Sequence, residues 1–284
     1  GILIDIRDAA NPKRITEVSD PNFAYWHSAN FNDAATTVLF TDEWGGGTTP
    51  KCRATDKPTW GADAIYSLEN GKLTQRSFYK MMAPQTEQEN CVAHNGSMIP
   101  VPGRDIMVQA WYQGGLALID ITDPAKPVEI GFFDRGPVAG EKMQMGGQWG
   151  AYWYNGYVVG SEIARGLDLL RLKPGPQLSK NEIEAAESVR WSQHNPQYQE
   201  PFVWPPSFAV ARSFLDQLVR NRGLAAARIT RFTAALARAE KLEGSDRRAA
   251  LEKLAADVEQ AAGQARDAAR VRKLAAAVAD LAKA

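Results

Sequence analysis

The stretch Gly114–Asp134, GGLALIDITDPAKPVEIGFFD, predicts the fold of the N-terminal part of the chain. It contains an apolar run at Leu116–Ile121, two prolines at positions 124 and 127, and a second apolar run at Val128–Phe133. Because proline cannot donate an N–H group to a sheet, the interruption predicts a turn between two strands. The stretch therefore predicts an antiparallel hairpin.

A diverged copy of this hairpin opens the chain as GILIDIRDAANPKRITEVSD, residues 1–20. Further copies of its first strand lie at 61–68 (GADAIYSL) and 166–172 (GLDLLRL). Two apolar runs precede each internal copy, at 23–31 and 37–41, at 91–99 and 105–111, and at 148–154 and 157–163. Three or four short strands repeated about every 50 to 60 residues are typical of β-propeller blades.

These repeats resemble the LVIVD-repeat proteins of bacteria, whose name describes the strand that is LALIDI at 116–121 and ILIDI at 2–6 in this chain. The resemblance covers nearly all of residues 1–206. It is carried by the runs HSANF (27–31), TDEWGGG (41–47), KCRATD (51–56), WGADAIY (60–66), ENCVAHNGSMIPVPGRDIMVQAWYQGG (89–115) and DPAKPVEIGFFDRGP (123–137). It implies a secreted β-propeller and supports the fold far more than any particular reaction.

The number of repeats sets a further expectation about the fold. Propellers close with about four to eight blades, which hides the edges of their sheets. The sequence shows three modules and the trailing hairpin of a fourth. We therefore expect a mainly β protein, a partial β-propeller of about three blades plus a half blade with N-terminal blades missing, followed by a small α-helical bundle.

The C-terminal part differs in composition and periodicity. All eight Trp and all eight Tyr lie at or before Trp204, and from Ser207 onward there are 15 Lys and Arg against 9 Asp and Glu. Ser179 and Glu182 form a capping-box pattern that predicts a short helix to about Val189. The predicted domains are residues 1–178 (propeller blades), 179–206 (short helix and proline-rich linker) and 207–284 (Ala/Arg-rich helical bundle).

Helical spacing after residue 207 predicts four helices, at about 207–222, 225–242, 246–262 and 266–282. Gly223 is predicted to end the first of them as a C-cap, and Gly244 and Gly263 to separate the others. The many arginines of this part are interleaved with Asp and Glu, which is typical of a solvated surface. We therefore expect no nucleic-acid partner.

The two cysteines, Cys52 and Cys91, are even in number and lack a CxxC or metal-type spacing, which favours one structural disulfide. Two buried free thiols would give the same sequence, so that alternative stays open. A disulfide favours an extracellular or periplasmic location, with a signal peptide expected in a missing N-terminal part. No apolar run is long enough to span a membrane.

His27 and His94 are the strongest candidates for a functional site, because they occupy corresponding places in successive repeats. The innermost strands of a propeller line its channel, so equivalent positions converge, and neutral imidazoles there could bind Zn, Cu or Fe. The third repeat carries Trp149 at this place, which breaks the pattern. The alternative is that both histidines only hydrogen-bond to the backbone of neighbouring blades.

Three carboxylates, Asp42, Glu43 and Glu162, fall at the ends of second strands and could join the histidines as ligands or acid–base groups. Exposed turn carboxylates are more common, so a solvated role stays open. The tryptophans could stack on a ligand or pack between blades. The channel-mouth candidates are His27, His94, Asn95, Trp149, Asp42, Glu43 and Glu162, with His27 and His94 as the metal candidates.

Two functions follow. The first is a secreted or periplasmic scaffold that presents the channel mouth to an unknown protein or small-molecule ligand, with the helical part as a docking module. The alternative is a metal-dependent enzyme with a His-containing site at the channel mouth and a transition-metal cofactor. The sequence contains no P-loop, GxSxG, HExxH or EF-hand motif that would name a reaction.

Overall fold

A computed structural model describes all 284 residues and is mainly β, with four antiparallel sheets and five α-helices. The strands are β1 Ile2–Asp5, β2 Lys13–Glu17, β3 Trp26–Phe31, β4 Thr37–Asp42, β5 Asp63–Glu69, β6 Lys72–Tyr79, β7 Gly96–Ile99, β8 Ile106–Ala110, β9 Leu116–Asp120, β10 Val128–Phe133, β11 Gln148–Tyr154, β12 Tyr157–Glu162 and β13 Gly166–Leu170. The helices are α1 Lys180–Glu187, α2 Phe208–Arg220, α3 Ala226–Ala239, α4 Gly244–Ala262 and α5 Ala268–Lys283.

Each sheet is built from strands that are consecutive in the chain. Sheet I is β1–β2, sheet II is β3–β4–β5–β6, sheet III is β7–β8–β9–β10 and sheet IV is β11–β12–β13. The hairpin predicted from Gly114–Asp134 is the β9–β10 pair, which has one irregularity between Glu129 and Gly131. The repeat in the sequence therefore corresponds to a repeated antiparallel sheet.

The burial of the strands follows the apolar pattern. The second strands of sheets II and III, β4 and β8, are buried along their whole length, as expected for strands covered on both faces. The first strands of sheets II, III and IV lie beside one another, since β3 contacts β7 and β7 contacts β11. A parallel bridge between Asn95 and Gly150 joins the segment preceding β7 directly to β11.

The predicted helices are present with small shifts at their ends. Ser179 accepts a hydrogen bond from the Glu182 N–H, and the Glu182 side chain accepts one from the Ser179 N–H, so the predicted capping box is confirmed. Residues from all five helices contribute to one apolar core that includes Phe214, Leu251 and Val271.

The C-cap prediction for Gly223 is wrong in detail. The residue in the left-handed conformation after α2 is Arg222, with φ +52°, and the Gly223 N–H bonds to the Leu218 carbonyl. This is a Schellman motif in which Arg222, and not the predicted Gly223, takes the left-handed position. A Cβ on Gly223 would lie 2.8 Å from atoms of Leu218 and Asp267, so the glycine is needed for close packing rather than for its backbone freedom.

The chain divides into two compact units. The first comprises residues 1–99, 104–171 and 191–201, and the second comprises residues 100–103, 172–190 and 202–284. The predicted short helix and linker, residues 179–206, are therefore divided between the units. Helix α1 belongs with the helical unit, whereas residues 191–201 belong with the sheets. No helix has the length and apolar character needed to cross a membrane.

Candidate metal centre

Three of the predicted site residues meet in the first unit. One side-chain ligand atom from each of His27, Glu43 and His94 lies within 4.8 Å of the others. Nε2 of His27 is 3.5 Å from Oε2 of Glu43, and Nε2 of His94 is 3.4 Å from Oε1 of the same carboxylate. These separations are long for hydrogen bonds, but they bring the three possible ligand atoms close enough to bind one ion.

Backbone irregularities in three sheets aim side chains at this centre. The register of β3 with β4 shifts between Trp26 and Ala29, and that of β11 with β12 shifts between Gln148 and Gly150. Just before β7, the His94 N–H bonds to the Ala110 carbonyl while the Ala110 N–H bonds to the carbonyl of the next residue, 95. Bulges of this kind redirect side chains and are common beside active sites.

The three bulged positions are His27, His94 and Trp149, the residues that the repeat places in correspondence. The third repeat carries Trp149 in place of a histidine, but this residue contacts His94. Its indole Nε1–H donates a hydrogen bond to Nε2 of His94 at 2.9 Å, and its backbone carbonyl accepts one from Nδ1 of His94. Trp149 joins the centre as a partner of His94.

These two bonds define the protonation of His94. Nδ1 faces a carbonyl and so carries the proton, whereas Nε2 carries none and accepts the hydrogen bond from the indole N–H. His94 is 2% exposed, and burial lowers the pKa of its imidazole to about 4, against the opposing effects of the Trp149 carbonyl and Glu43. The residue is neutral at pH 7, which is the form that binds metals.

His27 provides the accessible side of the centre. Its side chain is 25% exposed, compared with 3% for His94 and 10% for Glu43. The two imidazoles stack with their centroids 4.3 Å apart. A ligand could therefore approach from the His27 side while the other two groups stay sheltered.

Tyr112 is a site residue that sequence reasoning missed. Its hydroxyl donates a hydrogen bond to Oε1 of Glu43, and its ring lies edge-on to His94 with centroids 5.1 Å apart. Burial and the adjacent Glu43 raise the pKa of Tyr112, so the hydroxyl keeps its proton. Tyr112 has φ +51°, a left-handed conformation that is costly for an aromatic residue and concentrates at functional sites.

The glycine run at 45–47 explains how Tyr112 is accommodated. These glycines form a short turn after Glu43, each with a positive φ, and a Cβ on Gly47 would lie 2.2 Å from the Tyr112 ring. The position of this run shows that it makes room for the tyrosine that orients Glu43.

The predicted disulfide between Cys52 and Cys91 is confirmed, with Cα atoms 5.6 Å apart. It joins the loop after β4 to the segment that enters β7. Backbone bonds from Lys51 N–H to the Cys91 carbonyl and from Cys91 N–H to the Thr49 carbonyl reinforce this junction. The bridge therefore ties the sheet that carries His27 to the segment that carries His94.

The other candidate carboxylates lie outside the centre, and the idea that they are exposed turn residues is wrong. Asp42 is buried and accepts N–H bonds from Ala24, Tyr25 and Gly61, while burial raises its pKa. Glu162 is buried and accepts from the Gly147 N–H. Both carboxylates hold local backbone in place.

The remaining candidates have mixed roles. Asn95 joins neighbouring sheets through its backbone, by the bridge to Gly150. Trp111 and Trp153 are fully buried, consistent with packing roles. Trp149 differs from them because 55% of its surface is exposed.

The donor set is suited to a divalent transition metal. Two imidazole nitrogens and one carboxylate are the protein ligands of several catalytic zinc sites and of the facial triad of non-haem iron enzymes. Both arrangements leave coordination positions open to water or substrate. The Glu43–Tyr112 bond and the His94–carbonyl bond are the outer interactions that usually orient such ligands.

No protein-family model matches the chain, and no curated protein is significantly similar to it.

Proposed function

We propose that the first unit is part of a β-propeller of the LVIVD-repeat type that binds a divalent transition-metal ion through His27, Glu43 and His94. The observation that carries the metal site is the convergence of the three donor atoms within 4.8 Å. Of the two functions that the sequence left open, convergence favours the metal-dependent one. In the metal-dependent function, the carboxylate between two imidazoles acts as the third ligand.

Several features support the propeller. Consecutive strands form each sheet, and the first strands of sheets II, III and IV lie side by side. His27 on β3 corresponds to His94, which lies just before β7. Ile2 and Ile4 in sheet I and Leu167 and Leu169 in sheet IV are exposed. These side chains are ones that further blades would cover in a closed ring. The disulfide fits an extracellular or periplasmic compartment.

The open coordination positions define the chemistry of the proposal. A metal ion held by three protein ligands can activate water or polarise a small substrate that approaches from the His27 side. Tyr112 would hold Glu43 in place, and Trp149 would border the entrance. We therefore propose a metal-dependent enzyme of the propeller class, with the metal as its cofactor.

Zinc titration with Glu43→Gln as the test variant decides this proposal. Glutamine keeps the size of the side chain and an acceptor for Tyr112, but removes the ligand charge. Isothermal titration should show one Zn²⁺ per chain for the parent protein and binding weakened more than about 100-fold in Glu43→Gln, since outer-shell changes alone cost 10–100-fold. Equal affinity in the two proteins, or no saturable binding in the parent protein, would overturn the assignment.

A further inference from the structure

The bond between Trp149 and His94 has a consequence for how a metal would enter the centre. A neutral imidazole has one acceptor nitrogen, and in His94 this nitrogen is Nε2. The indole N–H of Trp149 already occupies its lone pair at 2.9 Å. A metal ion and an indole N–H cannot share that lone pair.

We propose that Trp149 is a gate residue, whose indole caps Nε2 of His94 and must swing away before this nitrogen can bind a metal. This inference rests on the proposed function, because it assigns a regulatory role at the same centre. The gate is the Trp149 side chain alone. The backbone carbonyl of the same residue stays bonded to Nδ1 of His94 and keeps the ring oriented.

The position of Trp149 allows this movement. More than half of the surface of the residue is exposed, so rotation of its side chain would not open a cavity in the core. The residue lies at a bulge of β11, where the strand is locally released from its ladder with β12. By contrast, Trp153 on the same strand is fully buried and could not move without loss of packing.

The gate predicts that removing the indole N–H increases metal affinity. Breaking the Trp149–His94 bond costs the parent protein the net value of one hydrogen bond, which corresponds to roughly three- to tenfold in affinity. Trp149→Phe keeps an aromatic ring without a donor, and Trp149→Leu removes the ring as well. Both variants should bind Zn²⁺ roughly three- to tenfold more tightly than the parent protein.

The control is Trp191→Phe, because Trp191 stacks on His194, the histidine outside the centre, with centroids 4.7 Å apart. Zn²⁺ should change the tryptophan emission of the parent protein and of Trp191→Phe, and this change should be absent from Trp149→Phe. Circular dichroism verifies that each variant is folded.

The outcomes separate the gate from the site. If the parent protein binds Zn²⁺ and both Trp149 variants bind it equally or more weakly, the gate is overturned and the metal site stands. If neither the parent protein nor the variants bind Zn²⁺, the metal site is overturned and the gate with it. Tighter binding by both variants, with loss of the emission change, supports the gate.

Discussion

The imidazoles of His27 and His94 stack with their centroids 4.3 Å apart and their planes 28° apart. The two residues hold corresponding positions in successive sheets, so the repeat itself brings them together. Two imidazolium rings at this separation would repel each other. The stacking therefore fits the neutral form of His94, whose pKa is lowered by burial, and this is the state in which histidine binds a metal.

The glycine turn offers a matched pair of substitutions. Gly46 and Gly47 have similar φ values, +63° and +66°, but a Cβ on Gly46 meets nothing within 4 Å whereas one on Gly47 meets the Tyr112 ring. Gly46→Ala should lower the free energy of unfolding by about 1–2 kcal/mol through backbone strain alone. Gly47→Ala should cost about 1–3 kcal/mol more through overpacking and should also weaken Zn²⁺ binding. Equal effects of the two substitutions in urea unfolding and in zinc titration would refute this role of the turn.

The Tyr112 hydroxyl is expected to act on the metal through Glu43. Tyr112→Phe removes the donor to Oε1 of Glu43 but keeps the ring beside His94. We expect Zn²⁺ affinity to fall by about 10–100-fold, the usual cost of losing an outer-shell partner. Tyr25→Phe is the control, because Tyr25 is exposed and its ring lies 6.1 Å from that of His27. The affinity is measured by chelator competition. If Tyr112→Phe binds Zn²⁺ as tightly as the parent protein, Glu43 does not depend on Tyr112 to bind the metal.

The disulfide should contribute a large part of the stability of the first unit. Cys52 and Cys91 are separated by 39 positions in the chain. Closing a loop of that length restricts the unfolded chain and is worth about 4 kcal/mol in the loop-entropy model. The double variant Cys52→Ala/Cys91→Ala should lose stability of this order in metal-free urea unfolding. A loss below about 1 kcal/mol would mean that backbone bonds alone maintain the junction.

Lys80 should make stability depend on alkaline pH. Its ammonium donates to the carbonyls of Lys51 and Trp60, and burial lowers its pKa to about 8, against the opposing effect of nearby carboxylates such as Asp42. The unfolded lysine titrates near 10.5. Between pH 8 and 10.5 the unfolded chain therefore binds more protons, and the free energy of unfolding should rise with pH by at most about 3 kcal/mol.

Lys80→Met tests this pH dependence directly. The rise should be followed between pH 8 and 10, because the raised pKa of Tyr79 makes stability fall again at higher pH. The substitution should flatten the rise seen in the parent protein. If the free energy of unfolding rises with pH as steeply in Lys80→Met as in the parent protein, a group other than Lys80 causes the rise.

The repeat predicted the sheets and part of the centre. His27 and His94 could be paired from the sequence because equivalent positions in a repeat adopt equivalent places, and Glu43 was included because it ends a second strand. Tyr112 could not be predicted, because its role depends on a left-handed backbone that no local pattern announces. The bonds of Trp149 likewise depend on a bulge, which one extra residue in a strand creates without a distinctive sequence.

Burial was the other property that the local pattern did not reveal. Asp42 and Glu162 follow apolar strands, as exposed turn residues often do, but tertiary packing buries both. Their carboxylates are stabilised by backbone N–H groups from segments distant in the chain, such as Gly61 for Asp42. Only the folded structure distinguishes these two carboxylates from that of Glu43, which accepts a hydrogen bond from Tyr112 in the centre.

Cobalt absorption spectroscopy tests the central claim most directly, because the visible bands of Co²⁺ report the ligands bound to it. The parent protein should develop these bands with one equivalent of Co²⁺ and lose them on addition of Zn²⁺. His27→Ala should abolish them, since the exposed position of His27 allows its removal without unfolding, whereas His194→Ala should leave them unchanged. A spectrum of free aqueous Co²⁺ in the parent protein, or identical bands in His27→Ala, would contradict a metal centre at His27, Glu43 and His94.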